Sequence, residues 1–294
     1  MKYSFLFLIH LISIPGLCAQ IDPAVFHSSI FSASNIIGTA INAEDVLMAG
    51  GSQSIRAANL TEIYSAGDVS LVSVNVAGEL ALGGTLSQKA SRMNSVINFN
   101  EPKYNFQQIQ NGLVELSSEL SQRLSNGKFQ RVDFNHVKLV GTNPILNVFE
   151  GSDLYFNDHV DLDVPPASIA ILNMKGTNPN FSMVTFNRPL AGLGGIDPGR
   201  VLVNFPDVMS LRVDMSQVGG TLLAPRAQLT LQATSVFGTA IGAGIVATGA
   251  NFYDRPFVGV EQRVVSEPVS AVGLLVGGMM VIVSLRICMD RGSS

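Results

Sequence analysis

The chain has 294 residues, 47% of them hydrophobic and 14% charged, with a formal net charge of −4 and a pI near 5.5. That length is enough for a sizeable core, and the acidic balance supplies no basic surface for nucleic acid. The absence of tryptophan and the presence of only five tyrosines disfavour a carbohydrate-stacking cleft.

The first element is an export signal. Residues 1–19 carry Lys2, an apolar run from Phe5 to Ile14, then Pro15, Gly16 and the small Ala19 at a plausible cut. This is the layout of a secretory signal peptide, too short and too terminal for a fold element. Cys18 admits a lipoprotein reading, against which the bulky Leu17 stands. Loss of Cys18 with the signal leaves only Cys288, near the far end, so the exported body is not a disulfide scaffold.

The body, residues 20–262, reads as mainly β. Stretches such as "INAEDVLMAGG" and "EIYSAGDVSLVSVNVAGELALGGTL" alternate apolar and polar residues, are rich in Val, Leu and Ile, and close on Gly, Asp or Asn. Ala-Gly pairs recur at 49–50, 66–67 and 77–78, though not at an even spacing. Short strands with small corner residues suit a stacked β-solenoid of the discontinuous β-helix kind. A β-sandwich is the alternative.

One segment departs from this pattern. In "NFQQIQNGLVELSSELSQRLSNGK", Phe106, Ile109, Leu113, Leu116, Leu120 and Leu124 recur at helical spacing, and Gly127 follows as a stop. This predicts one flanking helix of about 30 Å that packs on the β body.

"NDHVDLDVPP" then gathers Asp158, His159, Asp161 and Asp163. On a strand, His159, Asp161 and Asp163 share one face, and Val160, Leu162 and Val164 the other. The stretch lacks the glycine and ligand spacing of an EF-hand. It reads as a solvated face, with Ca²⁺ binding at Asp158, Asp161 and Asp163 left open. His27 and His136 have no neighbouring pattern of a catalytic triad. "LAGLGGIDPGR" lacks the Lys-Ser/Thr ending of a phosphate loop. No catalytic, cofactor-binding or metal-ligating residue is assigned.

Further on, "VLVNFPDV" and "GGTLLAPRAQLTL" each interrupt a strand, at Asn204-Phe205-Pro206 and at Pro225. Proline ends a strand where no ladder donor is wanted, and an asparagine side chain can satisfy free backbone groups in a turn. Both breaks read as corners of adjacent coils. The chain closes with a linker, residues 263–268, an uncharged stretch over 269–285 long enough to cross a bilayer, and a tail, 286–294, whose Arg286 and Arg291 suit a cytoplasmic side. A buried C-terminal helix is the alternative.

"LVNFPDVMSLRVD", "GGTLLAPRAQLTL", "GTAIGAGIVATG" and "NFYDRPFVG", preceded by the helix and "ILNVFEGSDLYF", fall in an order that resembles choice-of-anchor A domains, from about residue 33 to 259. Those are bacterial surface domains regarded as adhesins. Ser266-Glu267-Pro268, the apolar stretch and the arginines resemble a degenerate PEP-CTERM tail, which implies an exosortase-like sorting enzyme. The resemblance implies an exported, membrane-tethered, non-enzymatic adhesin or matrix component. Its partners would be extracellular polysaccharide or another surface ligand. A carbohydrate-active enzyme on a β-solenoid is the alternative, though it would need paired carboxylates at a groove. Ice binding would want a flat array of spaced threonines, for which Thr230 and Thr234 are too few.

Overall fold

A computed structural model describes residues 23–98, 104–151, 159–176, 181–182, 185–186 and 196–259. The expected signal peptide, linker, membrane segment and tail lie outside these, as does Asp158. Among the described residues no helix is long and apolar enough to cross a membrane.

The first half contains β1 (Ser28–Ser32), β2 (Ile36–Thr39), β3 (Asn42–Ala49), β4 (Gln53–Arg56), β5 (Asn59–Ser65), β6 (Val69–Val72), β7 (Asn75–Leu82), β8 (Leu86–Lys89) and β9 (Arg92–Asn98). Helix α1 (Phe106–Ser121) follows. Next come β10 (Lys128–Asp133), β11 (His136–Val140), β12 (Leu146–Gly151), β13 (His159–Asp163), β14 (Ile169–Met174), β15 (Phe181–Ser182) and β16 (Thr185–Phe186). The last are β17 (Val201–Asn204), β18 (Ser210–Asp214), β19 (Gln217–Val218), β20 (Thr221–Gln232), β21 (Ser235–Phe237), β22 (Ala240–Thr248) and β23 (Asn251–Tyr253).

Among the described strands every pairing is parallel except the β10–β11 hairpin. An antiparallel β-sandwich is thereby excluded. The pairings form three ladders wound around one core, so the protein is a curled parallel sheet. In the first ladder, Phe149, Leu172, Val203, Leu222, Ala240, Ile30, Leu47, Ile63 and Leu80 stand in register from rung to rung. All nine belong to the main core. Alternation along each strand sends these residues inward and their neighbours outward.

The order of rungs is not the order of the chain. β1 begins in the middle of the stack, between β3 and β22. Residues 28–98 wind from there to one end. The chain then passes through α1, resumes at β10 and β11 at the other end, and winds back until β22 and β23 meet β1, β2 and β3. Helix α1 covers the outer side of the first ladder. Its Phe106, Ile109, Leu113, Leu116 and Leu120 join Phe31, Met48, Leu202, Leu223 and Ile241 in a second apolar cluster. Asn105 caps the helix through its side chain, which accepts from the Gln108 N–H.

Two expectations about this helix need correction. It ends at Ser121, giving 16 residues, or roughly 24 Å, and Leu124 lies beyond it with 91% of its surface exposed. Gly127 is not the stop. It enters β10 against the Phe149 ring, where a Cβ would sit 2.2 Å from a ring carbon.

The corners are as regular as the strands. Between the first and second ladders, side chains of one turn accept from the backbone of the next. Asn35 Oδ1 takes the Ser52 N–H (2.8 Å), and Asp68 Oδ1 takes the Thr85 N–H (2.7 Å) and hydroxyl (2.8 Å). The two Thr85 donors hold the Asp68 carboxyl below its ordinary value. At this corner Gly50 is required, because a Cβ there would meet the Ala33 carbonyl oxygen at 2.3 Å. Among the described residues, seven turns between the second and third ladders each pass through one left-handed residue: Met215, Ala233, Gly249, Ala40, Ala57, Ser73 and Ala90, with φ from 45° to 61°. Most of these are not glycine, so the stack holds each of them in a conformation that costs about 1–2 kcal/mol.

The two interrupted strands are also corners. β17 turns through buried Phe205 and Pro206 into β18, and β20 shifts register between Ala224 and Gln228, around Pro225. β17 and β18 both pair with β20, so one corner sits on the other. Asn204 does not serve the corner backbone as expected. Its side chain faces α1, accepts from the Ser117 hydroxyl and donates to the Ser117 carbonyl and to Asn173 Oδ1.

Candidate functional site

The second ladder presents an outward face of side chains in register. Alternation sends Leu211, Leu229, Ile245, Ile36 and Val69 inward. Two columns point outward. One runs Arg212, Thr230, Val246, Ile37, Ser54, Ser70, Ser87, and the other Asp214, Gln232, Thr248, Thr39, Arg56, Val72, Lys89. Rungs about 4.8 Å apart and alternate residues about 7 Å apart make this a regular lattice of side chains.

Charge divides the lattice into zones. At one end Arg212 pairs with Asp214 and donates to Gln232 Oε1. Toward the other lie Arg56 and Lys89. Between them, the rungs of β20, β22 and β2 present Thr230, Gln232, Val246, Thr248, Ile37 and Thr39, with no ionisable group. Ile37 is 50% exposed, and Thr248 and Thr39 are direct partners. Thr234, one of the two threonines singled out from the sequence, is not here: it is buried at a corner, donating to the Val213 carbonyl (2.9 Å). Thr39 and Thr248 went unnoticed because their strands lie far apart in sequence. Only the seam between the two halves brings them together.

The third ladder carries the acidic strand. β13 places His159, Asp161 and Asp163 outward and buries Val160. Parallel pairing with β11 sets His136 beside His159 and Lys138 beside Asp161. Asp161 then lies between two imidazoles, Oδ2 at 2.9 Å from His136 Nε2 and Oδ1 at 2.8 Å from His159 Nε2, while Lys138 pairs with Asp163 at 2.7 Å. With each of its oxygens held by a ring, Asp161 braces two rungs. Among the described residues no group of three or more His, Cys, Asp or Glu is arranged to hold a metal ion. His27 stands in the turn before β1, close enough to Asp45 to act on its charge.

Along the same ladder the outward column becomes an amide stack: Asn251, Asn42, Asn59 and Asn75 are successive partners. Asn42 Nδ2 donates to Asn251 Oδ1 (2.9 Å), and Asn59 Nδ2 to Asn42 Oδ1 (3.1 Å).

A family model described as "Putative Ice-binding-like adhesive domain" matches residues 31–253. This match supports the adhesive character that the resemblance to choice-of-anchor A domains implies, without confirming that narrower family. No curated protein matches the sequence. Among solved structures, an ice-binding protein from the Antarctic ascomycete Antarctomyces psychrotrophicus aligns over 80% of this chain and 98% of its own. The identity is 8% and the TM-score 0.38.

Proposed function

The chain belongs to the ice-binding-like adhesive domain family, and from that membership we propose that it is a non-enzymatic adhesive module held outside the cell, which touches its ligand through the uncharged centre of the second ladder. The observation that carries this reading is the lattice of Thr39, Thr248, Thr230 and Ile37 on three adjacent rungs. A regular array of short hydroxyl and methyl groups lies against an ordered surface with little side-chain entropy to lose. Extracellular polysaccharide is the ligand of first choice, and ice the second. In this reading the N-terminal signal exports the body and the apolar stretch over 269–285 tethers it, as the likeness to bacterial choice-of-anchor A proteins with PEP-CTERM-like tails implies.

The test is the double variant Thr39→Tyr with Thr248→Tyr, which breaks the array at two exposed positions. Its melting temperature should stay near that of the parent, while attachment to polysaccharide-coated surfaces and any inhibition of ice recrystallisation fall together. Attachment that survives both changes would remove this face from the argument. Polysaccharide turnover that is lost in Asp161→Asn would make the protein an enzyme instead.

A further inference from the structure

A second ligand site lies at the corner beside the amide stack. The left-handed residues Ala57, Ser73 and Ala90 lie on three successive turns, and beside them is an open groove of about 370 Å³ lined by Asn59, Ser73, Val74, Asn75 and Arg92. The groove sits where the amide stack stops bonding to itself. Asn59 donates to Asn42 but leaves its own Oδ1 unused, and among the described residues the side chains of Asn75 and Arg92 make no hydrogen bond or ion pair.

Charge points the same way. Arg56 and Lys89 directly precede the corner residues Ala57 and Ala90, both are exposed, and neither has an ionic partner among the described residues. Of the cations here Arg92 alone lines the groove, while Arg56 and Lys89 stand next to it on the adjoining edge of the second ladder. Free amides on adjacent rungs both donate to and accept from hydroxyls, and a guanidinium fork matches a carboxylate with two parallel bonds.

We propose that this groove binds a carboxylate-bearing sugar residue of an acidic, uronic-acid-containing polysaccharide, with Arg92 on the carboxylate and Asn59 and Asn75 on ring hydroxyls. The site is separate from the face of the second ladder and does not rest on that reading. Repeating rungs facing a repeating polymer allow further residues of the glycan to follow the amide column toward Asn42 and Asn251.

The experiment titrates the whole protein with galacturonate oligomers and, in parallel, with neutral galactose oligomers of equal length, by calorimetry and by side-chain amide NMR. The acidic oligomer should bind with a salt-sensitive affinity and shift the Asn59 and Asn75 amide signals. Arg92→Gln and Asn75→Ala, at exposed positions, should each weaken it by about tenfold or more. The Thr39→Tyr/Thr248→Tyr double variant should bind it normally. Equal affinity for the neutral oligomer, no binding of either, or unchanged affinity in both groove variants would overturn the proposal.

Discussion

Asn204 and Ser117, 87 residues apart in sequence, exchange two hydrogen bonds across the contact between β17 and α1. The Ser117 hydroxyl donates to Asn204 Oδ1 at 2.5 Å, and Asn204 Nδ2 donates to the Ser117 carbonyl at 2.9 Å. The second Asn204 amide proton goes to Asn173 Oδ1 (2.8 Å), and Asn173 Nδ2 reaches the Leu120 carbonyl (2.7 Å). All of this lies within an apolar interface, so the polar chain fixes where the helix sits along the sheet. Leucine contacts alone would allow it to slide.

Removing the centre of that chain should be costly. Asn204→Ala leaves the Ser117 hydroxyl and Asn173 Oδ1 buried without this partner, an expected loss of about 2–3 kcal/mol. Ser117→Ala deletes one donor and should cost about 1 kcal/mol. Denaturant midpoints of the two variants measure the difference. Equal losses would place the anchor elsewhere.

The helix stripe supplies a second contrast. Leu116 is buried and Glu115 exposed. Leu116→Asp puts a carboxylate among Leu223, Ile241 and their neighbours, with an expected loss of more than about 3 kcal/mol. Glu115→Ala should stay within about 0.5 kcal/mol. Thermal melts of both variants are sufficient to check this.

Asp45 should make stability depend on pH. Burial raises its carboxyl above the ordinary value; the Val46 N–H and His27 oppose the rise, while Asp254 and Glu62 add to it. The folded state therefore binds a proton that the unfolded chain has already released. Stability falls as pH climbs from the ordinary carboxyl value through the raised one, and the penalty is complete at neutral pH. Asp45→Asn should raise the melting temperature at pH 7 and bring little gain at pH 3. The same gain at both pH values would contradict this.

The left-handed corners can be probed one residue at a time. Gly249 has φ of 61° and nothing nearer than 3.8 Å to an added Cβ, so Gly249→Ala should cost about 1 kcal/mol from the backbone alone. Ala57→Gly relieves the same strain but loosens the unfolded chain, and the net change should be within about 0.5 kcal/mol. Circular dichroism melts of the pair distinguish backbone strain from packing.

Much of the architecture was legible along the chain. Alternation marked the strands, helical spacing marked α1, and the prolines at 206 and 225 marked corners. The Ala-Gly pairs do not carry the period of the turns. Ala49-Gly50 and Ala66-Gly67 lie at one corner but one residue out of register, with Ala49 opposite Ser65, and Ala77-Gly78 lies within β7. The turn length is instead carried by Ala40, Ala57, Ser73 and Ala90, and by Asn42, Asn59 and Asn75. The side-chain contacts of Ser29 with Asp45 and of Asn42 with Asn59 accordingly span 16 and 17 residues. The candidate faces were less legible. Thr39 gains Thr248, and Asn42 gains Asn251, only through pairing across about 209 residues. Likewise Asp161 finds His136 only when β11 lies beside β13.

The seam between β22 and β1 has a kinetic consequence. Each turn of the first half closes on its neighbour over 16 or 17 residues, a short search, whereas Ser34 must find the Ala243 carbonyl across 209. Loop-closure entropy therefore delays the meeting of the halves until each has wound up its own turns. Until then β1 and β22 present unpaired parallel edges, which can pair with the same edges of another molecule. Two chains caught at that stage could exchange halves and close two seams between them, giving a domain-swapped dimer whose yield rises with protein concentration during refolding.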